Sequence, residues 1–317
     1  MKKYDVTALG ELLIDFTESG TSAQGNPILE ANPGGAPCNV LSMLNRLGHK
    51  TAFIGKIGQD MFGTQLEGAL LEVGIETRGL KKDDKVHTTL AFVQTLEDGD
   101  REFSFYRNPG ADMMLTEEEL DEDLIRDSKI FHFGSLSMTD EPSKSATKKA
   151  IDIAEKSGAI MSFDPNLREP LWESLDDAYR EIDYGLKHCQ VLKISDNEIQ
   201  WFTGKNDFDE GIAILKAKYD IPLILLSMGK YGSRAYTNDD CVEVPAFIQE
   251  NTIETTGAGD TFGACILRYI LEHGWKKYNE GELKDMLTFA NAAASIVTTR
   301  KGALRVMPAK EEVEILL

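Results

Sequence analysis

Short apolar runs alternate with longer amphipathic segments along most of the chain. The β-rich apolar runs cover residues 4–11, 51–58, 128–137, 159–165, 189–195 and 221–229. Helical patterns lie between them, and those that end at Gly48 and Gly74 carry the residue that suits a left-handed helix end. Alternation of this kind predicts an α/β fold with right-handed βαβ units and a mainly parallel sheet covered on both faces. We therefore expect ligands beyond the C-terminal ends of the strands.

Two segments break the alternation. Residues 88–107 predict two strands around a turn at Asp98 and Gly99, with Phe103 and Phe105 on one face. Residues 12–31 are a second candidate strand pair. These segments are either edge hairpins or a small β lid over the site. We expect one domain, residues 1–317, with a lid formed by about 12–31 and 88–107.

Charge and composition exclude several classes of function. The formal net charge is −19, and such an acidic surface repels nucleic acid and anionic lipid, so we expect neither as a partner. The four cysteines form no CxxC pair and the five histidines no HExxH motif, which argues against structural zinc and a disulfide framework. The N-terminal segment has neither signal-peptide nor membrane-span character, so we expect a soluble cytoplasmic protein.

A glycine-rich loop precedes an apolar helical run in the stretch ETTGAGDTFGACIL, residues 254–267. The start of a helix leaves backbone N–H groups unpaired and carries partial positive charge, so Gly257, Ala258 and Gly259 predict an anion site. Asp260 has two interpretations. It is either a helix N-cap or a general base that takes a proton from an acceptor hydroxyl in phosphoryl transfer.

Missing motifs narrow the kind of phosphoryl-transfer enzyme. The chain has no GxxxxGK[ST] motif and no HRD or DFG motif, which excludes P-loop enzymes and protein kinases. The dinucleotide fingerprint GxGxxG is missing near the first strand, and no GxSxG elbow occurs. A dinucleotide oxidoreductase is therefore disfavoured.

Six motifs in order along the chain resemble the ribokinase-like (PfkB) sugar kinases. They are GELLID (10–15), PGGAPCN (33–39), IGQDMFG (57–63), DPNLR (164–168), TTGAGDTF (255–262) and TRKGA (299–303). The resemblance implies a ribokinase-like three-layer α/β/α fold with a small β-sheet lid. Within the family, GGAPCNV and FYRNPGADMML are most similar to fructokinases, with ketodeoxygluconate kinases as the nearest alternative. The implied reaction is ATP-dependent phosphorylation of a sugar primary hydroxyl, D-fructose to fructose 6-phosphate, and a catalytically silent sugar-binding protein is the competing class.

The resemblance also implies roles for residues around the sugar. Asp260 would be the base, and the amides of Gly257, Ala258 and Gly259 would hold the γ-phosphate. The implied sugar-binding set is Asp15, Gly34, Gly35, Asn39, Arg107 and Arg168. The alternatives are a solvated strand-end acid for Asp15, a plain turn for the glycine pair and surface arginines for Arg107 and Arg168.

Further positions match the family's nucleotide and cation sites. The implied ATP-binding set is Lys193, Ser195, Ser227, Gly229, Gly232 and Asn291, with Glu198 acting on Mg²⁺ through water. A small-residue helix-packing face is the alternative for Asn291. For a monovalent cation such as K⁺, the matching positions are Glu254, Thr256, Val297 and Gly302. Val306 stands where relatives have a ligating serine, which weakens that site. An apolar lid face of Phe92, Phe103 and Phe105 suggests a homodimer.

Overall fold

This computed structural model describes residues 2–95 and 101–317. The turn predicted at Asp98 and Gly99 lies outside the described residues, and so does the side chain of Phe103. In the described ranges, no helix is both long and apolar enough to cross a bilayer.

The strands and helices follow one another as the apolar pattern predicts, with additions. The strands are β1 (Tyr4–Leu9), β2 (Leu13–Thr21), β3 (Pro27–Gly34), β4 (Thr51–Gly58), β5 (Glu76–Asp83), β6 (Leu90–Thr95), β7 (Arg101–Tyr106), β8 (Ser128–Gly134), β9 (Ile160–Asp164), β10 (Val191–Ser195), β11 (Leu223–Ser227), β12 (Ser233–Tyr236) and β13 (Cys241–Val244). The helices are α1 (Ala36–Arg46), α2 (Met61–Glu72), α3 (Glu122–Arg126), α4 (Ser143–Lys156), α5 (Leu175–Lys187), α6 (Asp196–Thr203), α7 (Phe208–Lys218), α8 (Ala258–His273), α9 (Glu280–Val297) and α10 (Lys310–Leu316).

The large sheet has the strand order β13-β12-β11-β10-β9-β8-β1-β4-β5. The strands from β11 to β5 in this order run parallel, whereas β12 and β13 form an antiparallel hairpin at one edge. All six apolar runs are strands of this sheet, so the prediction of a mainly parallel α/β sheet is confirmed. The run at 128–137 is shorter than predicted, because a 3₁₀ turn at Leu136–Met138 follows β8.

Two separate cores lie on the two faces of the large sheet. One contains Leu41 of α1, Leu66 of α2, Phe262 of α8 and Leu287 of α9. The other is built by α3 to α7, with Ile151 of α4 among its members. Burial of these helix faces against both sides of a sheet gives the predicted three-layer α/β/α arrangement.

The small sheet has the order β3-β2-β6-β7 and comes from the two segments that break the alternation. β2 and β6 pair in parallel, and the other two pairs are antiparallel. Phe16 and Phe92 stack with ring centroids 4.9 Å apart. Phe92 is opposite Ser104 while Ala91 is opposite Phe105, so successive side chains place Phe92 and Phe105 on opposite faces. The predicted single apolar face containing both rings is therefore wrong.

Candidate active site

A cleft of about 440 Å³ lies where the small sheet meets the C-terminal ends of β9, β10 and β11. Its position agrees with the expected ligand edge of a parallel sheet. It brings together most of the residues that the sequence predicts for the sugar and phosphate sites: Asp15, Gly35, Asn39, Arg168, Lys193, Ser195, Glu198, Ser227, Gly229, Glu254, Thr256, Gly257, Gly259 and Asp260.

The glycine loop turns directly into α8. Gly257 precedes the helix with φ of 78°, a left-handed conformation, and a Cβ there would lie 2.8 Å from the Cβ of Ala303. Asp260 is the third residue of the helix, and the helix start has no side-chain cap. The N-cap interpretation of Asp260 therefore does not hold. The amide of Ala258 already donates to the Thr255 carbonyl at 3.2 Å, which makes Gly257 and Gly259 the better-placed anion donors.

The Asp260 carboxylate is oriented by one neighbour. The Asn39 amide donates to Asp260 Oδ2 at 2.7 Å, and this leaves Oδ1 to face a ligand. Burial raises the pKa of Asp260, while the Asn39 hydrogen bond and the charges of Lys193 and Arg168 hold the rise back. A half-buried carboxylate with a raised pKa is a stronger proton acceptor than a solvated one. Asn39 was expected to bind a sugar hydroxyl, and in the structure its side-chain amide donates to Asp260.

Asp15 and Gly34 form one unit of the predicted sugar site. Asp15 lies in β2 beside the cleft, and burial raises its pKa to about 7; Arg168 opposes this rise, and Glu254 and Asp260 add to it. Gly34 does not line the cleft itself. A Cβ at position 34 would lie 2.2 Å from Asp15 Oδ2, so only glycine leaves room for this carboxylate.

Arg168 lines the cleft in the segment that follows β9. Its Nη1 donates to the Leu167 carbonyl at 3.0 Å, and its positive charge opposes the rise in the pKa of Asp15 and Asp260. It follows Asn166, which has φ of 44° and also lines the cleft. Asparagine tolerates this left-handed conformation, which turns the chain after β9 beside the cleft.

Arg107 is buried and does not line the cleft. Its side chain is 2% exposed and pairs through Nε with Asp112 Oδ2 at 2.8 Å. Its other nitrogens donate to Thr139 Oγ1 and to the Leu136 carbonyl, each at 2.9 Å. A guanidinium whose donors are used in this way is neither a surface arginine nor a mobile one. The structure does not place Arg107 among the residues that line the cleft, contrary to the expectation of a substrate contact.

Two of the residues predicted to bind ATP and Mg²⁺, Ser195 and Glu198, lie at the start of α6. Ser195 and Glu198 make a capping box: Ser195 Oγ accepts from the Glu198 amide at 3.3 Å, and Glu198 Oε2 accepts from the Ser195 amide at 2.8 Å. Glu198 Oε1 accepts from the Leu167 amide at 2.8 Å. Burial raises the pKa of Glu198, but Lys193 and these amides outweigh burial and lower it, so the carboxylate is ionised.

A second cavity of about 340 Å³ adjoins the cleft and shares the glycine loop with it. Gly259, Thr255, Ser227 and Gly229 line both cavities. The predicted residues Gly232, Ala258 and Asn291 line only the second cavity. The two cavities therefore meet along these four residues, and Gly259 of the glycine loop is one of them.

The side-chain amide of Asn291 forms hydrogen bonds within the protein through both its oxygen and its nitrogen. Its Oδ1 accepts from Ser233 Oγ at 2.8 Å, and its Nδ2 donates to the carbonyls of Val244 and Pro245, each at 3.1 Å. These contacts tie α9 to the β12–β13 hairpin. Asn291 borders the second cavity as an anchor of its wall, which is closer to the helix-packing alternative.

The predicted monovalent-cation residues come together only in part. Glu254 and Thr256 line the cleft, and the Gly302 amide donates to Glu254 Oε2 at 3.2 Å. The Val297 carbonyl accepts the Arg300 amide at 3.0 Å. Among the described residues, no three His, Cys, Asp or Glu side chains converge in the way that a protein-only metal cage requires.

The sequence analysis gave no role to two buried acids, one that lines the cleft and one that pairs with a cleft residue. Glu11 is 3% exposed, lines the cleft and accepts the Ala36 amide at 2.8 Å. Burial raises its pKa to about 7. Asp164 is 4% exposed and pairs with Lys193. Each lies within a quoted motif, GELLID or DPNLR, and an acid directly after an apolar strand was the available signal.

Comparison with known proteins covers nearly the whole chain. Residues 3–310 match the model of the pfkB family carbohydrate kinases. Probable fructokinase-4 of Arabidopsis thaliana is 41% identical over 314 residues, which are 98% of this chain and 96% of that protein.

Two solved structures have the same fold. The fructokinase of Xylella fastidiosa with bound ATP has a TM-score of 0.90 and 31% identity, and the match covers 100% of this chain and 98% of that one. The fructokinase of Vibrio cholerae O395 with fructose, ADP and calcium has a TM-score of 0.88 and 28% identity, with both chains covered at 100%. The family model, the curated relative and the two folds agree, and the chain belongs to the pfkB family of carbohydrate kinases.

Proposed function

We propose that this protein transfers the γ-phosphoryl group of ATP to the primary hydroxyl of D-fructose and forms fructose 6-phosphate. The observation that carries the proposal is the Asp260 carboxylate. It lies at the start of α8, is oriented by Asn39 and stands beside Gly259, where the two cavities meet. The names of the similar proteins support fructose and ATP as the two substrates.

The two cavities suit the two substrates. The cleft under the small sheet is lined by polar groups, including Asp15 and Asn39, which can bond several hydroxyls of a polyol. The second cavity contains Phe247, Ile248 and Phe262, a more apolar wall that suits a purine base. Fructose therefore occupies the cleft, and the nucleotide lies along the second cavity with its phosphates at the glycine loop.

The transfer begins with proton removal. Asp260 accepts the proton of the primary hydroxyl as that oxygen attacks the γ-phosphorus, and the bond from phosphorus to the bridging oxygen of ADP breaks. The Gly257 and Gly259 amides donate to the oxygens of the transferred group, where negative charge has to be stabilised. Arg168 lines the same cleft, uses Nη1 on the Leu167 carbonyl and would neutralise this charge with its remaining donors.

The residues present fit a nucleotide-bound magnesium ion. Glu198 is ionised and lines the cleft, but amides occupy both of its oxygens, which favours contact through water. Mg²⁺ on the phosphates would neutralise their charge. A monovalent cation such as K⁺ would lie at Glu254 and Thr256, the two members of the predicted set that line the cleft.

The small sheet is the proposed lid. Thr17 of β2, Val93 of β6 and Phe105 of β7 line the cleft from above, so movement of this sheet would close the sugar site. Closure would exclude water, which competes with the sugar hydroxyl as acceptor.

A panel of acceptors tests the proposal. Coupled ADP release is measured with fructose, ketodeoxygluconate, ribose and tagatose, and ¹³C NMR locates the phosphate on the product. We expect the highest kcat/KM with fructose and phosphate on C6. A preference for ketodeoxygluconate would assign Arg168 to a substrate carboxylate instead. No stimulation by any sugar would mean that the protein binds without catalysis.

A further inference from the structure

Asp164 is a buried carboxylate to which the proposed reaction gives no role. It ends β9, and Lys193 lies in the neighbouring strand β10. Their side chains are only 6% and 12% exposed. The parallel register pairs Ser162 with Val191 and Phe163 with Leu192, so the next step along both strands places Asp164 beside Lys193 on one face.

The contact fixes the position of the ammonium group. Lys193 Nζ lies 2.9 Å from Asp164 Oδ2 and 3.1 Å from Oδ1, so both carboxylate oxygens hold it. On its other side, Nζ would be 3.3 Å from a Cβ on Gly259. The ammonium therefore stands next to the glycine loop, where the two cavities meet. An ammonium has three N–H donors, and at least one is left for a phosphoryl oxygen.

Other acids compete for this lysine. Burial lowers the pKa of Lys193, but Asp164, Glu198 and Asp260 together reverse this and raise it, so the side chain is a cation. Lysine has a long, flexible stem. If Asp164 did not hold it, the ammonium could move to Asp260 and pair with the carboxylate that has to accept the substrate proton.

We propose that Asp164 is a positioning residue that holds Lys193 beside Gly259, toward the transferred phosphoryl group and away from Asp260. This inference rests on the proposed kinase function. It predicts an effect on the transfer step rather than on sugar binding, because Asp164 acts only through Lys193.

The first test is Asp164→Asn, measured for kcat, KM for fructose, KM for ATP and melting temperature. We expect kcat to fall about 10- to 100-fold, as for loss of one charge-stabilising contact, with KM for fructose within about twofold. Asp183→Asn is the matched control. Like Asp164, Asp183 forms ion pairs with lysine, here Lys187 and Lys218, but it lies outside the cleft. That control lowers the melting temperature and leaves kcat within about twofold.

A double-mutant cycle separates positioning from a structural role. In a Lys193→Met background, Asp164→Asn has no ammonium to misplace and changes kcat by less than about twofold. An equal loss of kcat in both backgrounds would overturn the proposal. If Asp164→Asn fails to fold, Asp164→Glu keeps the charge and displaces the ammonium, so it must still lower kcat about tenfold or more. Wild-type protein without sugar-dependent ADP release would refute the kinase function itself, which is a distinguishable result.

Discussion

At the scale of single residues, the space beside Asp15 is reserved for its carboxylate. Gly34→Ala places a Cβ 2.2 Å from Asp15 Oδ2, and the carboxylate has to move away. Position 34 has no positive φ, so the substitution strains no backbone. We predict that the Kd for fructose, measured by calorimetry, rises about tenfold or more, which corresponds to the loss of one hydrogen bond to a charged group.

Gly263→Ala is the control for this substitution. Gly263 lies in the interior of α8, and a Cβ there would have no atom within 4 Å. Its fructose affinity and melting temperature should equal or exceed those of the wild type. Wild-type fructose affinity in Gly34→Ala would show that Asp15 does not bind the sugar.

Part of the site can be predicted from sequence because its residues are contiguous in the chain. A glycine loop before a helix and an acid at its start are contiguous, and Gly257, Gly259 and Asp260 stand together in the structure as predicted. Hydrogen-bond partners that are distant in the chain cannot be predicted in this way. Asn39 reaches Asp260 across 221 positions, and Arg107 reaches the Leu136 carbonyl across 29.

At the scale of elements, Arg107 anchors the end of β7 to the body of the molecule. It joins Asp112 to the turn after β8 through Leu136 and Thr139. Removing one partner of a buried ion pair leaves the other charge buried and unpaired. We predict that Arg107→Gln lowers the free energy of unfolding by about 3 kcal/mol, measured by urea titration.

The double variant Arg107→Gln/Asp112→Asn is the control for that loss. It removes both charges, so it should recover part of the stability. A stable Arg107→Gln protein with a raised KM for fructose would contradict the anchoring role and restore the expected substrate contact.

The elements that sequence reasoning missed have physical signatures different from those it found. The six predicted strands lie inside the large sheet, and most of their residues are apolar and buried. β5 is an edge strand in which only Gly79 is buried, and its charged side chains hide the strand pattern. β12 and β13 have four residues each, too short for a periodic signal.

At the scale of the whole molecule, the cleft concentrates acids that burial keeps from ionising easily. Burial raises the pKa of Glu11 and Asp15 to about 7 each. Their unfolded values are near 4, so the folded state binds more protons between about pH 4 and 7. Stability should therefore rise as the pH falls from 8 to 6.5. His132 acts oppositely, because burial lowers its pKa to about 4, but only below its unfolded value of about 6.5.

Calorimetry of the ligand-free protein checks this sign. We predict a higher melting temperature at pH 6.5 than at pH 8, and a smaller difference in Asp15→Asn, which lacks one of these two acids. A lower melting temperature at pH 6.5 than at pH 8 would show that these acids are ionised without cost in the folded protein.

The central claim is that Asp260 takes the proton of the sugar hydroxyl, and Asp260→Asn tests it most directly. Asparagine keeps the size of the side chain but cannot accept the proton at neutral pH. Steady-state ADP release and calorimetric fructose binding are measured on the same preparation, with Asp196→Asn as a control for another carboxylate that lines the cleft. We predict that Asp260→Asn lowers kcat by about 1,000-fold and leaves the fructose Kd within about threefold. A kcat within tenfold of wild type would contradict the assignment of Asp260 as the base.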